Sequence, residues 1–342
     1  MRLIKIKHIV LLFIGLIIIT VSVINCKNNT SPSNTPNTLL DLTGKSVSSS
    51  QIDSNWTLVP SDNRPSPRYG HAMAYDSARN KIVLFGGSEL NNETWERDGT
   101  QWILKSPTHK PSPRYYHSMV YDSARSKVVL FGGMSESSTD IYELIRSDET
   151  WEWDGADWTL RTPVHKPSGR RASAMAYDSK RGKTVLFGGE IDGSDFSDET
   201  WEWDGTDWTL RTPVQKPSAQ WGSAMAYDSK RHKIMFYRGF SWTNELWSWD
   251  GTGWTLIKSP ANSSDKSSQA MAYDSARDKI VCISQDETWE YNGTDWSLKS
   301  SENKPMPVWG HFMAYDTVRH RTVLFGGMTG CYPTNDTWEW GY

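Results

Sequence analysis

The sequence predicts an all-β fold: six four-stranded antiparallel sheets repeated radially as a β-propeller. Three observations predict it. A Trp in an E-T-W-like element recurs at Trp95, Trp151, Trp201, Trp247, Trp289 and Trp338, a mean spacing of about 49 residues. Each unit carries four strand signals and requires no helix. Tryptophan is overused, with 19 Trp against 14 Tyr and 9 Phe, as expected when a Trp-bearing unit is repeated.

The elements of one unit follow in order. The first strand, HAMAYD in the first repeat, alternates small and large residues. Its Tyr recurs at Tyr75, Tyr121, Tyr177, Tyr227, Tyr273 and Tyr315. The turn D-S-A-R follows, and its Asp can accept backbone N–H bonds. The second strand, KIVLFGG, is a continuous apolar run, which suits a strand buried on both faces. The third, such as ETWEWD, alternates Trp with polar residues. An Asp-Gly turn then gives a hairpin into a short fourth strand, W-T-L. Pro-rich links such as PSPR return the chain to the next unit. The last unit ends at TWEWGY without a fourth strand, while Trp56-Thr57-Leu58 stands alone before the first. This N-terminal strand is therefore expected to complete the last blade and remove an open sheet edge.

These units resemble kelch repeats: an apolar strand ending in Gly-Gly, then an aromatic strand, then a Trp behind a hairpin. Gly86-Gly87, Gly132-Gly133, Gly188-Gly189 and Gly326-Gly327 match the double glycine, while Arg238-Gly239 and Ser284-Gln285 depart from it. The resemblance runs from Trp56 to Tyr342. It implies a six-bladed propeller over 55–342 whose repeated Trp residues pack between blades.

The chain before the repeats reads as an address. Arg2, Lys5 and Lys7 precede a nearly apolar run from Ile9 to Ile24, too short for a membrane span of about 20 residues. The sequence Val23-Ile24-Asn25-Cys26 resembles a bacterial lipoprotein signal, with Asn25 departing from the small residue preferred there. It implies a signal peptide over 1–25, lipidation of Cys26, and an exported protein anchored by its acyl chains at the periplasmic side or the cell surface. Residues 26–54, rich in Ser, Thr, Asn and Pro, read as a flexible tether. Loss of the leader removes three basic residues and takes the formal charge from -3 to -6. With that charge and a mean hydropathy of -0.62, nothing argues for a nucleic-acid partner or a polytopic membrane protein. Cys282 and Cys331 are expected as two unpaired thiols, because one lies in a strand core and the other in a loop of the next repeat.

Antiparallel strands place the links and the loops after the second strand on one face, and the D-S-A-R and Asp-Gly turns on the other. The first face varies between repeats and is the candidate for binding. It carries Arg68-Tyr69, Arg114-Tyr115-Tyr116, Arg170-Arg171, Gln220-Trp221 and Val308-Trp309. Arg and aromatic side chains together suit carboxylates, sugars or peptide side chains. The bland alternative is that each Arg pairs with a neighbouring Glu. Trp242 sits in a fourth-repeat loop outside the pattern, and the longest loop, Met134 to Ser147, has the length of a lid. His117 and His311, with His71, share one position on the first strand. The expected function is a protein- or glycan-binding module at the cell envelope, with no cofactor. The resemblance also carries an alternative: a copper enzyme like galactose oxidase, with Tyr116-His117 as its Tyr-His pair, or a sugar enzyme like a sialic-acid mutarotase. No H-E-x-x-H, P-loop, C-x-x-C or G-x-S-x-G motif is present.

Overall fold

The computed structural model describes residues 54–88, 91–136, 144–191, 195–238, 245–257, 269–284, 286–306 and 309–341. The leader, Cys26, the tether up to residue 53, Trp242 and Val308 lie outside the described residues. Within them the secondary structure is strands and turns. Ser54–Thr329 and Pro333–Gly341 form one compact unit.

The first repeat sets the pattern. β2 (Ala72–Asp76) pairs with β3 (Lys81–Phe85), β3 with β4 (Thr94–Arg97), and β4 with β5 (Trp102–Lys105), all antiparallel. The register runs from Ala72 opposite Phe85 to Asp76 opposite Lys81. The same four-stranded order recurs in the next four repeats. In the sixth, Phe312–Asp316, Arg321–Phe325 and Thr337–Gly341 are joined by β1 (Asn55–Val59), with Trp56 opposite Trp340.

The turn after the first strand forms as its Asp dictates. Asp76 Oδ1 accepts the N–H groups of Ala78 and Arg79 at 3.2 and 3.1 Å. Asp122, Asp178, Asp228, Asp274 and Asp316 do the same two and three residues on. Each of these Asp residues also pairs with the Arg three residues later, as Arg125 with Asp122.

The core lies between successive sheets. Ala72, Ala74, Val83 and Phe85 of the first repeat pack on Met119, Val128, Leu130, Trp153 and Trp158 of the second. Apolar burial at about 25 cal/mol per Å² is the main stabilising term here. The buried indoles keep polar partners across the seams, as they must. The fourth-strand residues Trp158, Trp208 and Trp254 donate to Thr94, Thr150 and Thr200 of the preceding repeat at 2.8–2.9 Å. Trp102 donates to Thr337 and Trp56 to Thr288 in the same way. A second ladder joins Trp153, Trp203, Trp249 and Trp340 to Glu96, Glu152, Glu202 and Glu290. In the first repeat Arg97 replaces the Trp and pairs with Glu339 at 2.6 Å.

The six first strands touch one another in sequence, and β2 also touches Phe312–Asp316 of the sixth repeat. They line an open cavity of about 380 Å³. The expectation for the cysteines needs correction. Cys282 is a buried thiol, but Cys331 is disulfide-bonded, so sequence position alone misjudged its reach.

Candidate binding face

Three of the expected site arginines are spent inside the fold. Arg68, Arg114 and Arg170 are 0–1% exposed. Each turns back over its own link and grips the end of the second strand. Arg68 donates to the Ser66 and Gly86 carbonyls at 3.0 Å and to Glu93 at 2.7 Å. Arg114 and Arg170 make the corresponding bonds to Gly132 and Glu149 and to Gly188 and Glu199. Each Glu also accepts from the indole two residues on: Trp95, Trp151 and Trp201. Burial lowers the Arg114 and Arg170 pKa values, opposed by their carboxylates. Burial alone would raise Glu149, but Arg114 and Trp151 hold it below its ordinary value. This is the bland alternative realised: a charge-assisted brace whose donors are already taken. Gln220 stands at the same place in the fourth repeat. There Arg238, in the position of the first glycine, pairs with Glu245 at 3.5 Å. The departure from Gly-Gly thus restores an ion pair that Gln220 cannot make.

The histidines also point inward. His71, His117 and His311 are 2–5% exposed. His117 packs edge-on against Phe85, with ring centroids 5.5 Å apart, and His71 packs likewise on Phe325 at 5.4 Å. A Cβ on Gly86 would lie 2.6 Å from the Arg114 carbonyl oxygen and 2.9 Å from His117, so the double glycine makes room for both. Burial, then Arg114, pushes His117 down to about 3. Burial, then Arg68, His117 and His311, holds His71 well below its ordinary value. Tyr116 and His117, adjacent in sequence, diverge: one ring lies among the aromatic residues of the face, the other under the strand. Among the described residues no three His, Cys, Asp or Glu side chains converge to hold a metal.

The remaining candidates do meet. Link residues of successive repeats are joined by backbone bonds: Gly70 to Gly310, Tyr116 to Gly70, Ala172 to Tyr116 and Gly222 to Ala172, at 2.6–3.1 Å. All five have positive φ, from 51° to 67°. Glycine suits this conformation, whereas Tyr116 is a bulky residue held there at a cost. Its ring lies over Gly70, whose Cβ would meet it at 3.2 Å. Around it the aromatic side chains form a continuous run. Trp309 and Tyr69 have centroids 5.0 Å apart, Tyr69 and Tyr116 6.1 Å, and Tyr115 and Tyr116 5.2 Å. Trp309 is 38% exposed. Arg171 lies 6.0 Å from the Tyr116 centroid. Burial, then the neighbouring Tyr69, raises the Tyr116 phenol.

Arg171 behaves unlike Arg170. It is half-buried and holds Glu190 through two bonds of 3.0 and 2.7 Å. Arg146 grips the other oxygen of Glu190. Burial would raise Glu190, but the two guanidiniums pull it below its ordinary value. The triad carries one net positive charge. Arg146 comes from the long second-repeat loop, where Met134–Glu136 and Leu144–Arg146 pair as a hairpin that extends onto Arg114–Tyr115. Residues 137–143 of that loop lie outside the described residues. Phe196 bridges Glu190 across the loop, and its ring is parallel to Trp221 within 8°, with centroids 6.4 Å apart. Sequence reading missed Glu190, Arg146 and Phe196. The available signal was that none of them repeats, which marks residues that the scaffold does not require.

Residues 44–163 match the family model described as the KLHDC2/KLHL20/DRC7 Kelch-repeats domain. Among solved structures, the chain is similar to one titled "Structure of YjhT", with a TM-score of 0.62 at 11% identity, covering 80% of this chain and 95% of that one. No curated protein compared with it matches. Residues 44–163 thus resemble Kelch repeats, and the repeated four-stranded antiparallel sheets, with the solved likeness, give the chain an all-β fold consistent with a kelch-type β-propeller.

Proposed function

We propose that this protein is an exported, lipid-anchored binding module, its six sheets closed into a ring and its link face taking a protein or glycan ligand. The ring reading is supported by Trp56, which pairs across from Trp340 and bonds Thr288 as fourth-strand Trp residues do elsewhere. One observation carries the binding reading. The run Trp309, Tyr69, Tyr116 and Tyr115, flanked by the Arg171–Glu190–Arg146 triad, joins several repeats on the varying face. Rigid aromatic residues beside a guanidinium offer stacking and hydrogen bonding at little entropic cost.

Parallel glycan and peptide arrays test this, with the wild type against Trp309→Ala and Tyr69→Ala. Specific binding on one array, weakened at least tenfold by either variant, is expected. Binding indifferent to both variants would place the ligand elsewhere. The anchor is tested by metabolic labelling with a fatty acid, with Cys26→Ala as control. The chain has three cysteines, so lipidation of Cys26 and a disulfide that uses Cys26 exclude each other. The intact mass of the exported protein distinguishes them.

A further inference from the structure

We infer that the cavity between the first strands is a second site, built for a small, neutral, polyhydroxylated molecule. This does not depend on the link-face reading. The cavity measures about 380 Å³ and is lined by all six first strands. Small-molecule pockets span about 300–1,000 Å³, so a single sugar ring or a linear polyol is the right scale.

The lining selects the chemistry. Each first strand is the terminal strand of its sheet, as β2 is beside β3. Its inner edge therefore keeps backbone N–H and C=O groups with no strand to pair with. Such groups require a partner, either water or a ligand hydroxyl. The residues that supply this edge are chiefly Met and Ala, such as Met73 and Ala74 and their counterparts, whose apolar atoms give the lining its C–H surface. Among the described residues no charged side chain lines the cavity. An ion entering would lose its hydration without a counter-charge, so anions, metal ions and charged sugars are disfavoured. A molecule with C–H surfaces and many hydroxyls meets both halves of this lining.

The mouth on the turn face carries hydroxyls. Ser77, Ser229, Ser275 and Thr317 line the cavity and are exposed. The neighbouring tyrosines are already committed to the turns: the Tyr121 hydroxyl accepts the Ala78 N–H, and Tyr177 and Tyr315 accept from Ala124 and Ala276, all at 3.3 Å. They hold the opening in shape, and Tyr315 and Tyr75 also bond the Ser275 and Thr317 hydroxyls, so the Ser77 and Ser229 hydroxyls and the backbone edges make the contacts.

The experiment is ligand-observed NMR on the purified protein with D-glucose, D-mannitol and myo-inositol as probes. Three variants accompany it: Ser229→Trp and Ser275→Trp, which fill the mouth at exposed positions, and Trp309→Ala on the opposite face. Circular dichroism confirms that each is folded. We expect saturable transfer to at least one probe, reduced at least tenfold by each mouth variant and unchanged in Trp309→Ala. Absence of transfer to all three probes overturns the inference, and the cavity then holds water alone. Transfer lost in Trp309→Ala but kept in both mouth variants also overturns it, and assigns the probe to the link face. The link-face reading stands or falls separately, on its arrays.

Discussion

Arg170 and Arg171 are adjacent and do different work. Arg170 braces a link to Gly188 and Glu199 from full burial, while Arg171 lies half-open against Tyr116 and Glu190. The distinction was partly legible. An Arg that recurs in register with a Glu and a Trp belongs to the repeat, and Arg68, Arg114 and Arg170 do. Their fate was obscured because an Arg beside a Tyr looks the same whether it faces in or out. Removing one partner of a buried pair strands a charge, so Arg114→Ala should cost about 3 kcal/mol in chemical denaturation. The histidines give a pH prediction. His117 titrates near 3 in the fold because of burial and Arg114, against about 6.5 unfolded. Below pH 6.5 the unfolded chain binds the extra proton, so stability falls as pH drops from 6.5 towards 3. Ser173 occupies the corresponding place in the third repeat. His117→Ser should therefore narrow the difference in unfolding free energy between pH 7 and pH 5 by about 2 kcal/mol. An unchanged difference would remove His117 as a source of acid sensitivity.

At the scale of elements, the strands were readable because their patterns differ in kind. β3 and its counterparts are continuous apolar runs, and they are buried on both faces. The third strands alternate, and their two tryptophans find different partners: one bonds a Glu two residues before it, the other a Glu of the preceding repeat. What the pattern could not show was the hairpin Met134–Glu136 with Leu144–Arg146, because an insertion has no counterpart to be compared with. β1 is the element on which the sixth sheet depends. Trp56 is fully buried and packs tilted against Trp340 with centroids 5.4 Å apart, as Trp158 does against Trp153 at 5.5 Å. Trp56→Ala should cost about 3–5 kcal/mol. Thr288→Ala, which removes only its hydrogen-bond partner, should cost about 1 kcal/mol. A Trp56→Ala protein as stable as the wild type would mean that β1 is dispensable.

At the scale of the whole molecule the seams are not equal. Where the Thr of other third strands would stand, the fourth repeat has Leu246, and Ser248 replaces the Glu. Trp296 Nε1 accordingly has no hydrogen-bond partner among the described residues. Native-state hydrogen exchange should find the amides of Trp296–Lys299 exchanging faster than those of Trp158–Arg161, whose seam keeps both ladders. The face that these seams hold rigid is where function is proposed, and the sequence made that face visible through its variation rather than through any motif. The decisive measurement compares Arg171→Ala with the wild type on the glycan and peptide arrays, with thermal unfolding followed in parallel. The account predicts an unfolding transition within about 1 kcal/mol of the wild type and ligand binding weakened at least tenfold. Undiminished binding by a folded Arg171→Ala protein would contradict it, because the triad and its aromatic neighbours would then not be the binding surface.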